Sequence, residues 1–82
     1  MKYIAKFTDR FLEDTKKLKG SLKKQLEKAV RKILANPKGG KPLRYSFKGL
    51  RTERVGKFRI VYEVERNFVI FHVFEHRKKV YR

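Results

Sequence analysis

At 82 residues the chain is long enough for one domain, 1–82, whose core removes about two thirds or less of the unfolded surface from water, which argues against a deep enclosed active site. It contains no cysteine, so disulfides and thiolate zinc sites are excluded and packing of Leu, Ile, Val, Phe and Tyr must hold it together. Against 8 acidic residues stand 24 basic ones, a net charge of +16 spread over both halves of the chain, which points to a polyanionic partner: nucleic acid, a ribosome, an anionic membrane surface and an acidic protein are all open on charge alone.

Lys2 to Phe7 alternates in a way that suits a short first strand. Thr8 is placed to cap a helix, with Asp9 and Glu13 near its positive end and Phe7 set to staple onto Leu12; Gly20 is expected to end it. Ser21 reads as a second cap. Leu22, Leu26, Ala29, Val30, Ile33 and Leu34 then recur on one helical face, with lysines on the others, until Asn36-Pro37 stops the helix. Lys38 to Pro42 reads as a loop whose Gly39-Gly40 is too sparse to cradle a phosphate. Three strands follow, Leu50 to Val55, Phe58 to Glu65 and Phe68 to Phe74, joined by the two-residue links Gly56-Lys57 and Arg66-Asn67. The order β-α-α-β-β-β implies an α+β fold with the two N-terminal helices packed on one face of a twisted, mostly antiparallel sheet. No apolar run approaches the roughly 20 residues of a membrane span, and the charged opening Met1 to Lys6 is unlike a secretory signal. A cytoplasmic protein with no membrane partner is expected.

Tight hairpins fix a register. Phe58, Ile60, Tyr62, Val64, Val69, Phe71 and Val73 should share the core face, and Arg59, Val61, Glu63, Phe68, Ile70, His72 and Phe74 the open face. The first hairpin sets Arg54 directly across from Arg59 on the open face, a like-charge pairing that costs stability unless an anion lies between the two guanidinium groups. The second sets Phe74 beside Arg59, so the terminal segment from Glu75 leaves the sheet at that end and brings His76, Arg77 and Tyr81 within reach of the arginine pair.

Serine and cysteine nucleophiles are poorly supplied, and Ser21 is better explained as a cap. His72 and His76 are wrongly spaced for a metal on a strand, and no carboxylate cluster accompanies them, so neither a metal nor another cofactor is expected. Metal-free RNA cleavage needs a base for the 2′-hydroxyl proton, cations for the crowded phosphate and an acid for the leaving 5′-oxygen. Arg54, Arg59 and Arg77 are candidates for the cations, and His76 or Tyr81 for moving protons, with Glu75 a further candidate.

Leu50-Arg51-Thr52-Glu53-Arg54-Val55-Gly56-Lys57-Phe58-Arg59-Ile60-Val61-Tyr62-Glu63-Val64 and the terminal Glu75-His76-Arg77-Lys78-Lys79-Val80-Tyr81 resemble two motifs of the RelE/ParE toxin superfamily, on its RelE branch, and the resemblance covers nearly the whole chain. It implies a toxin that enters the ribosomal decoding site and cuts mRNA by attack of the 2′-hydroxyl, leaving a 2′,3′-cyclic phosphate. By that likeness Arg59 and Arg77 stabilise the phosphate and Tyr81 orients or deprotonates the nucleophile; Arg54 matches a further basic position, and Lys78 and Lys79 add RNA contacts. Where the RelE-type pattern carries two lysines this chain has Leu50 and Thr52, with Lys48 and Arg51 as nearby substitutes. The resemblance also implies a RelB-like antitoxin that wraps the toxin, besides the ribosome and mRNA. ParE-like relatives share the fold and inhibit DNA gyrase without catalysis, which is the alternative; a basic RNA-binding domain without catalysis is a third reading.

Overall fold

The computed structural model describes residues 2–42 and 49–78. Along them run β1 (Ile4–Phe7), α1 (Asp9–Thr15), α2 (Gly20–Ala35), a 3₁₀ turn (Pro37–Gly39), β2 (Lys41–Pro42), β3 (Leu50–Val55), β4 (Phe58–Glu65) and β5 (Phe68–His76). These strands form one sheet in the order β1-β5-β4-β3-β2, with β1 parallel to β5 and every other pair antiparallel. The expected α+β class and element order hold. Lys41–Pro42 is the exception: expected in a loop, it adds a short edge strand to β3.

Both hairpins are tight, with Val55 facing Phe58 and Glu65 facing Phe68. Gly56 (φ 60°) and Arg66 (φ 57°) open the two turns in the left-handed region that two-residue hairpin loops favour. At the helices the outcome is mixed. The Thr8 hydroxyl caps α1 by accepting from the Phe11 amide at 3.1 Å. Phe7 stacks on Phe11 and on Phe71, at 5.6 and 5.1 Å between ring centres, whereas Leu12, the expected staple partner, is 52% exposed. The first helix stops at Thr15, well before Gly20, and Gly20 instead opens α2. Its left-handed backbone (φ 62°) makes the corner, so Ser21 lies inside the helix and α2 has no side-chain cap.

Leu26, Ala29 and Ile33 of α2 and Phe11 of α1 pack on Val55, Ile60, Tyr62, Val69, Phe71 and Phe74 of the sheet. This is the core. Tyr62 lies at its centre, fully buried, with its hydroxyl donating to the Pro37 carbonyl at 2.7 Å. That contact explains Gly40. A Cβ there would stand 2.1 Å from the Tyr62 hydroxyl oxygen and 3.0 Å from the Thr52 carbonyl oxygen, so only glycine lets the chain pass. Arg51 completes the anchor by donating to the carbonyls of Lys38 (3.1 Å) and Gly40 (2.9 Å).

The sheet departs from strict alternation at one place. Between Val61 and Tyr62 the pairing with β5 jumps from Val73 to Phe71, leaving His72 as the extra residue of a β-bulge. Beyond it every side chain of β5 changes face. Phe74, expected on the open face beside Arg59, pairs with Ile60 in the core and is buried, and it stacks on Phe58 with ring centres 5.1 Å apart. Val73, expected in the core, pairs with Val61 on the open face, and Glu75 takes the place opposite Arg59. The first helix holds the bulge: Thr8 donates through its hydroxyl to the His72 carbonyl (2.9 Å), and an Asp14 carboxylate oxygen accepts from the Phe74 amide (3.2 Å). These two bonds satisfy backbone groups of β5 past the end of β1.

Two consequences are measurable. Gly40→Ala forces Tyr62 off its hydrogen bond and should cost about 1–3 kcal/mol in denaturant unfolding, as overpacking does. Burial, the largest influence, pushes the Tyr62 hydroxyl above its ordinary pKa of 10.0, with Arg51 lowering it, Glu53 raising it and the Gly40 backbone lowering it. The folded state therefore keeps this proton where the unfolded chain has lost it, so stability is full below about pH 10 and falls as pH rises toward the folded value. Tyr62→Phe should flatten that part of the decline in unfolding titrations carried above about pH 10.

Candidate nucleic-acid interface

On the face of the sheet away from the helices, arginines gather around one cavity. Arg54 lies directly across from Arg59, as the first hairpin requires, and Glu75 lies across from Arg59 on the other side. The Arg59 guanidinium donates through Nε (3.3 Å) and Nη2 (3.1 Å) to one oxygen of Glu75. Both side chains are largely enclosed, Arg59 19% and Glu75 6% exposed. Arg77 follows immediately after β5. Its amide donates to the Lys57 carbonyl at 2.9 Å and its guanidinium to the Gly56 carbonyl at 3.2 Å, which folds it back over the first hairpin turn.

Arg54, Arg59 and Arg77 thus line one open cavity of about 530 Å³, together with Lys41, Thr52 and Glu53. Cations from β2, β3, β4 and the segment after β5 converge there although they are far apart in sequence. Arginine suits such a place, because its planar fork matches two phosphate oxygens at once. The arrangement can hold a phosphodiester against the sheet and stabilise charge that builds on its oxygens.

The other expected site residues divide. His76 sits on the helix side of the sheet end, its ring edge-on to Phe58 at 5.2 Å and its Nδ1 accepting from the Lys78 amide at 3.1 Å. It lines a separate cleft with Lys57, Arg77 and Lys78, so Arg77 is the wall between that cleft and the arginine cavity. Arg51 faces the helix side, where its bonds to the 38–40 backbone occupy it. Tyr81, Lys48 and Lys79 lie outside the described residues. Sequence reasoning missed Lys41, which needs the short β2 pairing to reach the site; Thr52, at one of the two positions where the RelE-type pattern carries lysine, lines it too. That reasoning also had the chain leave the sheet at Glu75, whereas β5 continues to His76 and pairs Glu75 with Arg59. One signal was present: strict alternation puts the Glu75 carboxylate under the helices, and a charge in a core argues for a bulge.

Further along the open face, His72 Nε2 and Glu63 Oε1 are 2.6 Å apart, and the Lys6 ammonium lies 4.2 Å from the centre of the Phe68 ring. No group of three His, Asp or Glu among the described residues is placed to hold a metal ion. No helix among them is long and apolar enough to cross a membrane.

The model of the ParE toxin of type II toxin-antitoxin systems, parDE, matches residues 5–81. The chain belongs to this family. No curated protein matches it in sequence. Among solved structures it is similar to RelE in the RelB-RelE antitoxin-toxin complex from Methanococcus jannaschii, at 26% identity and TM-score 0.71 over 89% of this chain and 91% of that one. It is also similar to the RelBE2 toxin-antitoxin complex from Mycobacterium tuberculosis, at 25% identity and TM-score 0.68 over 94% and 100%. The isolated E. coli RelE toxin shares the fold, at 20% identity and TM-score 0.78 over 95% and 87%. The RelE-like toxin fold expected from the two motifs is therefore present.

The salt dependence of binding to a short single-stranded RNA tests the cavity. Each lost phosphate contact should reduce the slope of log K against log salt by about 0.7. Arg54→Ala should show this reduction in fluorescence anisotropy between about 50 and about 200 mM salt. Arg51→Ala should leave the slope unchanged and lower the unfolding midpoint instead, since its partners are carbonyls of its own chain.

Proposed function

We propose that this protein is the toxin of a type II toxin-antitoxin pair and cleaves mRNA on the ribosome. The observation that carries the reading is the convergence of Arg54, Arg59 and Arg77 on one cavity at an open sheet face. In this reading the 2′-oxygen of the preceding nucleotide attacks phosphorus, the bond to the 5′-oxygen breaks, and a 2′,3′-cyclic phosphate and a 5′-hydroxyl result. A base accepts the 2′-hydroxyl proton, and an acid returns one to the leaving oxygen. The arginines stabilise charge on the phosphoryl oxygens in the transition state, the term that dominates where groups are preorganised. Tyr81 is proposed to orient or deprotonate the 2′-hydroxyl. His76, across Arg77 from the cavity, is proposed to serve the leaving group.

An open, shallow cavity suits a substrate presented by a larger body, because the protein itself encloses little of it. The ribosome would supply the remaining walls, and the charge of +16 would draw the protein to it. A RelB-like antitoxin is the proposed partner: the solved RelE relatives from Methanococcus jannaschii and Mycobacterium tuberculosis are in complexes with antitoxins.

The description of the matching family favours a second reading, a ParE-like inhibitor of DNA gyrase. Inducible expression, with mapping of mRNA 5′ ends and a supercoiling assay on the same protein, separates the two. The nuclease reading expects cuts only in mRNA under translation, with supercoiling intact, and a loss of about 10²–10³-fold in cleavage rate for Arg59→Ala. Blocked supercoiling with intact mRNA would establish the gyrase reading instead.

A further inference from the structure

The pairing of Arg59 with Glu75 is unusual for a site meant to hold an anion, because a carboxylate already touches the central cation. Burying such a pair contributes little to stability, since desolvation of both charges consumes most of the Coulomb attraction. Its geometry is informative. A single Glu75 oxygen accepts from both Nε and Nη2 of Arg59, which sets the plane and direction of the guanidinium. Arg54 is directly opposed to Arg59 on the neighbouring strand, so the bonds from Glu75 hold the Arg59 guanidinium against a like-charge repulsion. Lys41, Arg54 and Arg77 surround the same cavity, so it stays cationic after one charge is neutralised.

We propose that Glu75 is a positioning residue, whose buried carboxylate fixes the Arg59 guanidinium in the orientation that meets the reacting phosphate. It does not touch substrate and moves no proton. The inference rests on the nuclease reading for its effect on rate, while its geometric content stands apart. Anchoring from behind is how a flexible cation is held within the tolerance that catalysis needs, and misplacement by about 1 Å costs on the order of 10²-fold.

Two substitutions separate anchoring from other roles. In Glu75→Gln the amide oxygen still accepts both Arg59 bonds although the charge is gone. In Glu75→Met the volume is kept and the acceptor lost. Cleavage of mRNA on translating ribosomes should fall by about 10²-fold in kcat for Glu75→Met with KM little changed, and by less than about tenfold for Glu75→Gln. Circular dichroism melting of each full-length variant corrects the rates for unfolded protein. The arginine Nε–H resonance of Arg59 gives a readout independent of catalysis: protected from exchange in the parent and in Glu75→Gln, and exposed to it in Glu75→Met. Equal losses in the two variants would overturn the proposal and make Glu75 a proton carrier. Losses that only track unfolding would overturn it too, and so would an unprotected Arg59 resonance in the parent protein. If the parent cleaves no mRNA, the nuclease reading fails while the resonance still judges the anchor.

Discussion

The geometry of the open face depends on the bulge at His72, one extra residue that reverses the facing of everything after it in β5. Bulges need support, because the extra residue leaves the ladder and its backbone groups must find other partners. The first helix supplies it through the Thr8 hydroxyl and the Asp14 carboxylate. Phe74 gains a place in the core as a result, and Glu75 gains Arg59. One local irregularity thus joins the packing of the helices to the electrostatics on the far side of the sheet.

The two faces of the sheet use the same residue types for different ends. On the helix side Arg51 and Lys32 meet groups of the chain itself: the 38–40 carbonyls and Glu53 respectively. On the open side Arg54, Arg59 and Arg77 converge on a cavity with Glu75 behind them. A count of basic residues makes no distinction between these roles. Strand parity does, since Arg51 and Arg54 are separated by an odd number of positions and so point to opposite faces. This difference makes the pair of alanine variants at these positions diagnostic.

The 38–42 segment shows how a small core spends its glycines. Gly40 serves the buried Tyr62 hydroxyl, and the passage it opens lets Lys41 pair with Thr52 and reach the cavity rim. Core packing and site composition are coupled here through a single missing Cβ. The reason for Gly40 lies in its contact with Tyr62, on a strand some twenty residues on and beyond the reach of local pattern.

By itself the sequence determined what depends on short-range geometry: the α+β order, the capping of α1 by Thr8, both two-residue hairpins and, through the first of them, the opposition of Arg54 and Arg59. These follow from spacing and backbone preference within a few residues. Only the tertiary structure decided which face Phe74 and Glu75 would take, where α1 stops and α2 begins, that Lys41 joins the arginines, and that His76 stands in a neighbouring cleft. Alternation in Phe68 to His76 is blurred because apolar residues occupy both parities, so the register was settled by the core's demand for Phe74 and by the cost of burying Glu75 without a cation.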